Sequence, residues 1–132
     1  MRLTADTNVL VRAITEDDPV ESPLAQDLLA AAEAIIVTQT ALCELVWVLS
    51  RGYRFPAHII AETIRRLANG ANVNLDRPVF YAGLAMLDAG GDFADGVIAY
   101  DGRWRGAEVF VSFDKKAVTL LKARGESARL LA

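Results

Sequence analysis

The sequence predicts a single α/β domain over residues 1–132: a central, mostly parallel sheet of four to five short strands flanked by helices. Three observations predict it. Short apolar or β-branched runs alternate with stretches of helical periodicity along the whole length, the pattern of strands joined by crossover helices. The helical stretches open on capping residues and stop at glycines. A chain of 132 residues is the size of one domain, large enough to remove roughly two thirds of its unfolded surface from water.

Residues 1–5 (MRLTA) read as the first strand and residues 8–15 as a short helix after it. The EDDP segment is a loop with two helix starts. Asp18-Pro19 with Glu21 makes a capping box, and Ser22-Pro23 offers a second start. That helix runs to about Ala34. Residues 35–38 are β-branched and form strand two. Residues 40–51 read as a helix ended by Gly52, and residues 56–69 as another ended by Gly70. Residues 72–75 make a short third strand. Asp76 caps a helix with Pro78 near its first turn, running to about Ala89, and Gly90-Gly91 breaks the chain. Residues 95–105 are helical, 108–112 are strand four, 115–124 are helical, and 128–131 add a fifth strand.

Composition narrows the function. Hydrophobic residues make up 53% of the chain and mean hydropathy is +0.26, an apolar surplus that suggests a second buried surface, in a dimer or against a partner. The net charge of −3 argues against a polybasic nucleic-acid binder. It does not exclude an enzyme that meets phosphates through bound cations, which reverse the local field. Cys43 is the only cysteine, so no internal disulfide forms; a reducing compartment and a small buried core thiol are expected. No apolar run approaches the ~20 residues of a membrane span. Met1 reads straight into a strand, so no signal peptide is expected and the location is expected to be cytoplasmic.

Four carboxylates lie in or beside apolar runs: Asp6 in MRLTAD, Glu44 in TQTALCELVWVLS, Asp95 in GGDFADGVIAY and Asp114 in EVFVSFD. Burying an unpaired carboxylate is costly. Asp6 and Asp114 have a structural alternative as helix caps, and so does Asp92, with Asp95 as its first-turn acid. Glu44, flanked by Leu42, Cys43, Leu45, Val46 and Trp47, is hard to place on a solvated face. In parallel α/β sheets, sites lie beyond the carboxyl ends of the strands. Asp6 and Asp114 follow strands directly, Glu44 lies early in the helix after strand two, and Asp95 opens the helix after the glycine pair. All four are therefore expected at one mouth of the sheet, with Asp92 beside them. An all-oxygen set suits Mg²⁺, with Mn²⁺ as a substitute, and not zinc. Such ions would cancel the carboxylates' mutual repulsion, clamp a phosphodiester and activate a water. Thr7, Asn8 and Ser112 stand beside the acids and are candidates to bond the carboxylates or the metal's water. His58 reads as a surface or hydrogen-bonded histidine in a separate helix, and Arg65-Arg66 as a solvated face. Lys115 and Lys116 read the same way, or as contacts to a backbone phosphate.

Taken in order, ADTNVLVRAI, TQTALCELVWVLSR, GGDFADGVIAY and FVSFDKKA resemble PIN-domain proteins, specifically VapC-type toxins of type II toxin–antitoxin pairs. The resemblance spans nearly the whole chain. It places the family's acids at Asp6, Glu44, Asp95 and Asp114, with Asp92 at a position that is often acidic and Ser112 where threonine is common. It implies a Mg²⁺-dependent endoribonuclease that cleaves RNA, forms a homodimer, and is inhibited by a cognate antitoxin whose C-terminal segment wraps it. The helices at 40–51 and 56–69, with Trp47 and Phe55, are the expected dimer faces. A receiver-like domain would want adjacent acids after strand one, where the chain has Asp6-Thr7-Asn8, and an acceptor after strand three, where only Asp76 stands. A phosphohydrolase with Asp6 as nucleophile would want an acid at position 8, which is Asn8.

Overall fold

The computed structural model describes all 132 residues as two compact units, Met1–Asp76 and Arg77–Ala132. The alternation of strand and helix is as expected. The pairing differs from one central sheet: the strands form a parallel set of three in the first unit and a parallel pair in the second.

In the first unit β1 (Arg2–Thr4), β2 (Ala34–Ile36) and β3 (Val73–Asn74) pair in the order β1-β2-β3. The register sets Leu3 beside Ile35, and Ile35 beside Val73. Helix α1 (Thr7–Thr15) packs against α2 (Glu21–Ala31) and α3 (Gln39–Trp47). Of the two starts available to α2, the first is used. The Asp18 carboxylate accepts from the N–H groups of Val20 at 2.9 Å and Glu21 at 2.7 Å. The reciprocal bond comes from Ser22, whose hydroxyl accepts the Asp18 N–H at 3.3 Å, and not from Glu21. The helix stops at Ala31 because Ala34–Ile36 is taken by β2.

Helix α3 begins earlier than the sequence suggests because Thr38 caps it, accepting from the Ala41 N–H at 3.2 Å. It does not run as an α-helix to Gly52. Its last turn, Val48–Gly52, is π-helical, a form frequent at functional sites. Gly52, the stop read from the sequence, closes this turn without a left-handed backbone; the left-handed residue is Arg54, at φ 57°. This turn delivers Tyr53 and Phe55, whose rings lie 5.7 Å apart. Helix α4 (Ala57–Ala68) completes the unit. Leu10, Leu42, Leu45, Leu49, Ile60 and Ile64 are fully buried.

In the second unit α5 (Arg77–Asp88) and α6 (Phe93–Trp104) form a tight hairpin across Gly90, at φ 92°. Two glycines permit their approach. A Cβ on Gly96 would lie 2.3 Å from the Ala82 carbonyl oxygen, and one on Gly83 would lie 2.6 Å from the Phe93 ring. Strand β4 (Phe110–Ser112) crosses through α7 (Lys115–Ala123) to the parallel strand β5 (Ala128–Leu130). Met86, Ala99, Val118, Leu121 and Ala128 form the buried cluster beneath this pair.

Candidate functional site

The first unit brings Asp6 and Glu44 together. Asp6 follows β1 and caps α1, its Oδ1 accepting the Thr7 N–H at 2.7 Å. Glu44 lies on α3. Both line one cavity of about 320 Å³, with Thr7, Asn8, Val11, Arg12, Val48 and Tyr53. The expectation that Glu44 resists solvation is corrected here. Ala41, Leu42, Leu45 and Val46 turn inward, while Thr40, Glu44, Trp47 and Arg51 form an exposed stripe at helical spacing. Trp47 is 63% exposed, so it is not a core residue.

The second unit gathers Asp92, Asp95 and Asp114. Asp92, not Asp95, opens α6: its Oδ1 accepts the Ala94 N–H at 3.1 Å. Asp95 sits one turn in, where its side chain makes no hydrogen bond. Asp114 follows β4 and caps α7, its Oδ1 accepting from Lys116 at 2.9 Å and Ala117 at 3.2 Å. The Ser112 hydroxyl bonds the Asp114 backbone N–H at 2.9 Å, so it steadies the turn and does not touch the carboxylate. Thr7 serves Asp6 through its backbone. Asn8 lines the first-unit cavity.

Burial, and then the negative charges of Asp92 and Asp114, hold the Asp95 carboxyl above its ordinary range. The helix N-terminus favours an ionised acid at this position; desolvation and two like charges outweigh it.

The donor chemistry fits a hard cation, because every candidate ligand is a carboxylate oxygen. Asp6, Asp92 and Asp114 each commit Oδ1 to a cap and leave Oδ2 without a protein partner. Neither unit draws three His, Cys, Asp or Glu side chains into a finished metal cluster.

Residues 4–121 match the family model of the PIN domain. The chain belongs to the PIN-domain family. PIN domains are typically Mg²⁺-dependent nucleases, so membership supports a nuclease role and the use of a divalent metal ion. It displaces the receiver-like and phosphohydrolase alternatives. The five candidate acids, Asp6, Glu44, Asp92, Asp95 and Asp114, fall within the matched span. A search of curated proteins finds no match. No helix is long and apolar enough to cross a membrane.

One feature of the site has no local sequence signal. Arg12 donates from Nε to Glu21 at 2.8 Å and from Nη1 to Asp17 at 3.1 Å. Asp17 also accepts the Thr15 hydroxyl at 2.8 Å and the Tyr53 hydroxyl at 2.7 Å. Tyr53 is 36 residues from Asp17, and only the folded first unit joins them.

Proposed function

We propose that this PIN domain is a metal-dependent endoribonuclease and acts as the toxin of a toxin–antitoxin pair. Asp6, Glu44, Asp95 and Asp114 are the catalytic carboxylates, with Asp92 as a further metal ligand. Asp95 carries the reading. A half-buried acid without a hydrogen bond, raised by burial and then by two acidic neighbours, is a liability to folding that a bound cation would relieve. Mg²⁺, or Mn²⁺ in its place, would supply charge neutralisation at the phosphodiester and a water of lowered pKa.

The chain's own residues do the rest. Asp6, Asp92 and Asp114 are oriented by their caps and would hold the ion together with Glu44 and Asp95, which make no protein hydrogen bond. Ser112 holds the turn that carries Asp114, and Thr7 holds Asp6. The cognate antitoxin, a cytoplasmic setting and a homodimer belong to the same reading. The exposed Trp47 stripe of α3 supports a homodimer face; light scattering that finds only a 14.3 kDa monomer would sink that part.

The test is expression of wild type beside Asp6→Asn in a bacterial host, with total RNA examined, and the same pair purified and given single-stranded RNA in Mg²⁺ or EDTA. Wild type should arrest growth and leave a discrete cut that depends on Mg²⁺, and Asp6→Asn should do neither. Intact RNA with a folded wild-type protein in Mg²⁺ would end the nuclease reading. Cleavage without growth arrest would end the toxin reading alone.

A further inference from the structure

The cavity that holds Asp6 and Glu44 contains more than acids. Its walls include two apolar side chains, Val11 and Val48, one aromatic ring, Tyr53, one amide, Asn8, and one guanidinium, Arg12. At about 320 Å³ it lies at the small end of ligand pockets, which run roughly 300–1,000 Å³. It has room for one flat group and none for a duplex.

Metal binding explains the two carboxylates and leaves Asn8, Val11, Arg12, Val48 and Tyr53 unexplained. Tyr53 is held unusually firmly for a partly exposed ring. Its hydroxyl is tied to Asp17, Asp17 is tied to Arg12 and Thr15, and Arg12 is tied to Glu21. The left-handed Glu16, at φ 55°, turns the chain so that Asp17 can reach back. The network holds the Tyr53 ring at the cavity wall before anything binds, which lowers the ordering cost of binding. Two of the five Arg12 N–H donors are used in it, leaving three for a ligand.

We propose that this cavity is a nucleobase pocket that takes one unpaired base of the RNA, next to the bond that is cut. Tyr53 is its stacking platform, Val11 and Val48 are its apolar floor, and Asn8 and the free Arg12 donors contact the base edge or its phosphate. The inference rests on the ribonuclease reading above and adds a substrate-binding residue to it. Single-stranded RNA is read in this way, by splayed bases stacked on aromatic rings and bonded at their edges.

The experiment measures kcat and KM for wild type, Tyr53→Phe, Tyr53→Leu and Tyr53→Ala on one single-stranded RNA oligonucleotide that wild type cleaves. The same oligonucleotide is then used with each base in turn replaced by an abasic unit. Tyr53→Ala and Tyr53→Leu should raise KM about 5- to 100-fold, with kcat within about threefold. Tyr53→Phe keeps the ring but loses the tie to Asp17, so its KM should rise by clearly less than that of Tyr53→Ala, with kcat within about threefold. At one abasic position near the cut, wild type and Tyr53→Ala should become equal, because the stacked base is gone. Three outcomes would overturn the pocket: an unchanged KM in the two non-aromatic variants, a loss in Tyr53→Phe equal to that in Tyr53→Ala, or the same Tyr53→Ala penalty at every abasic position. The first denies contact with substrate, and the other two assign Tyr53 a purely structural tie. A wild type that cleaves no RNA fails at the earlier step, and the nuclease reading falls with the pocket.

Discussion

Asp17 and Asp95 are both aspartates close to a helix start, yet their surroundings push their carboxyls in opposite directions. Asp17 is exposed and receives donors from Tyr53, Thr15 and Arg12, and these hold it below the ordinary carboxylate range, Tyr53 most of all. Asp18 beside it is lowered by the Glu21 and Val20 N–H groups. Asp95 receives nothing, loses part of its hydration, faces Asp92 and Asp114, and is raised. Asp17 and Asp18 are satisfied by the fold, whereas Asp95, half-buried and without a donor, stands out as something kept for another purpose. Natural chains break such local rules mainly at functional sites.

The largest expected effect tests that contrast directly. Asp95→Asn should lower RNA cleavage by roughly 100-fold or more, since even outer-shell partners of metal ligands are worth about 10- to 100-fold. In EDTA it should melt at or above the wild-type temperature, because a like-charge repulsion is removed. Asp17→Asn should melt below wild type, because three donors lose their ionised acceptor. An Asp95→Asn protein that is destabilised and fully active would place both aspartates in the same class and end the distinction.

Metal addition sharpens it. An ion bound only by the folded state stabilises it by about 2.7 kcal/mol at a hundredfold excess over Kd. Wild type should therefore melt higher in Mg²⁺ than in EDTA. Glu44→Gln and Asp95→Asn should lose most of that rise, and Asp17→Asn should keep it. An unchanged Mg²⁺ response in Glu44→Gln would remove Glu44 from the metal set.

The order of strands and helices was legible from alternation, caps and glycine breaks, because those signals are local. The acids were legible because Asp6 and Asp114 sit at strand–helix junctions and Asp92 at the helix start after the Gly90-Gly91 break. What was missed is what only the folded chain reveals. Whether Glu44 is buried depends on helical phase, and five apolar neighbours in sequence concealed the exposed Thr40–Glu44–Trp47–Arg51 stripe. Strands of two or three residues carry too little pattern to show how they pair, so the division into a set of three and a set of two could not be read. The π-turn after α3 shifts Tyr53 toward Asp17, and no periodicity in the sequence encodes that shift.

A smaller effect concerns how Asp95 is placed. Gly96 follows it, and a Cβ there would lie 2.3 Å from the Ala82 carbonyl oxygen, which is backbone and cannot yield without moving α5 from α6. Gly96→Ala should cost about 1–3 kcal/mol as an overpacking change and should reduce cleavage through displacement of Asp95. By contrast Gly52→Ala, whose Cβ would meet only Val48 Cγ1 at an ordinary 3.7 Å, should be nearly neutral in melting temperature. Equal melting shifts in the two variants would show that the close helix contact is not what sets the position of Asp95.

The smallest expected effect is the pH dependence of stability in EDTA, and here the two regions act with opposite sign. The folded state holds a proton on Asp95 at pH values where the unfolded chain, with an ordinary value near 3.8, has lost it. Stability therefore rises as pH falls from neutral into the range between those two values, because protonation removes the charge that burial and Asp92 and Asp114 disfavour. Asp17 and Asp18 behave oppositely. Their folded values lie below 3.8, so their contribution is intact above that pH and is lost as pH falls through the folded values. Melting temperature against pH should thus climb gently on the acid side of neutrality, pass a maximum, and drop below about pH 4. Asp95→Asn should flatten the gentle upper limb and leave the drop; Asp17→Asn should soften the drop and leave the upper limb. All of these groups are partly or fully exposed, so added salt should shrink both limbs. An upper limb that survives in Asp95→Asn would trace it to another titrating group and remove the crowded carboxylate as its source.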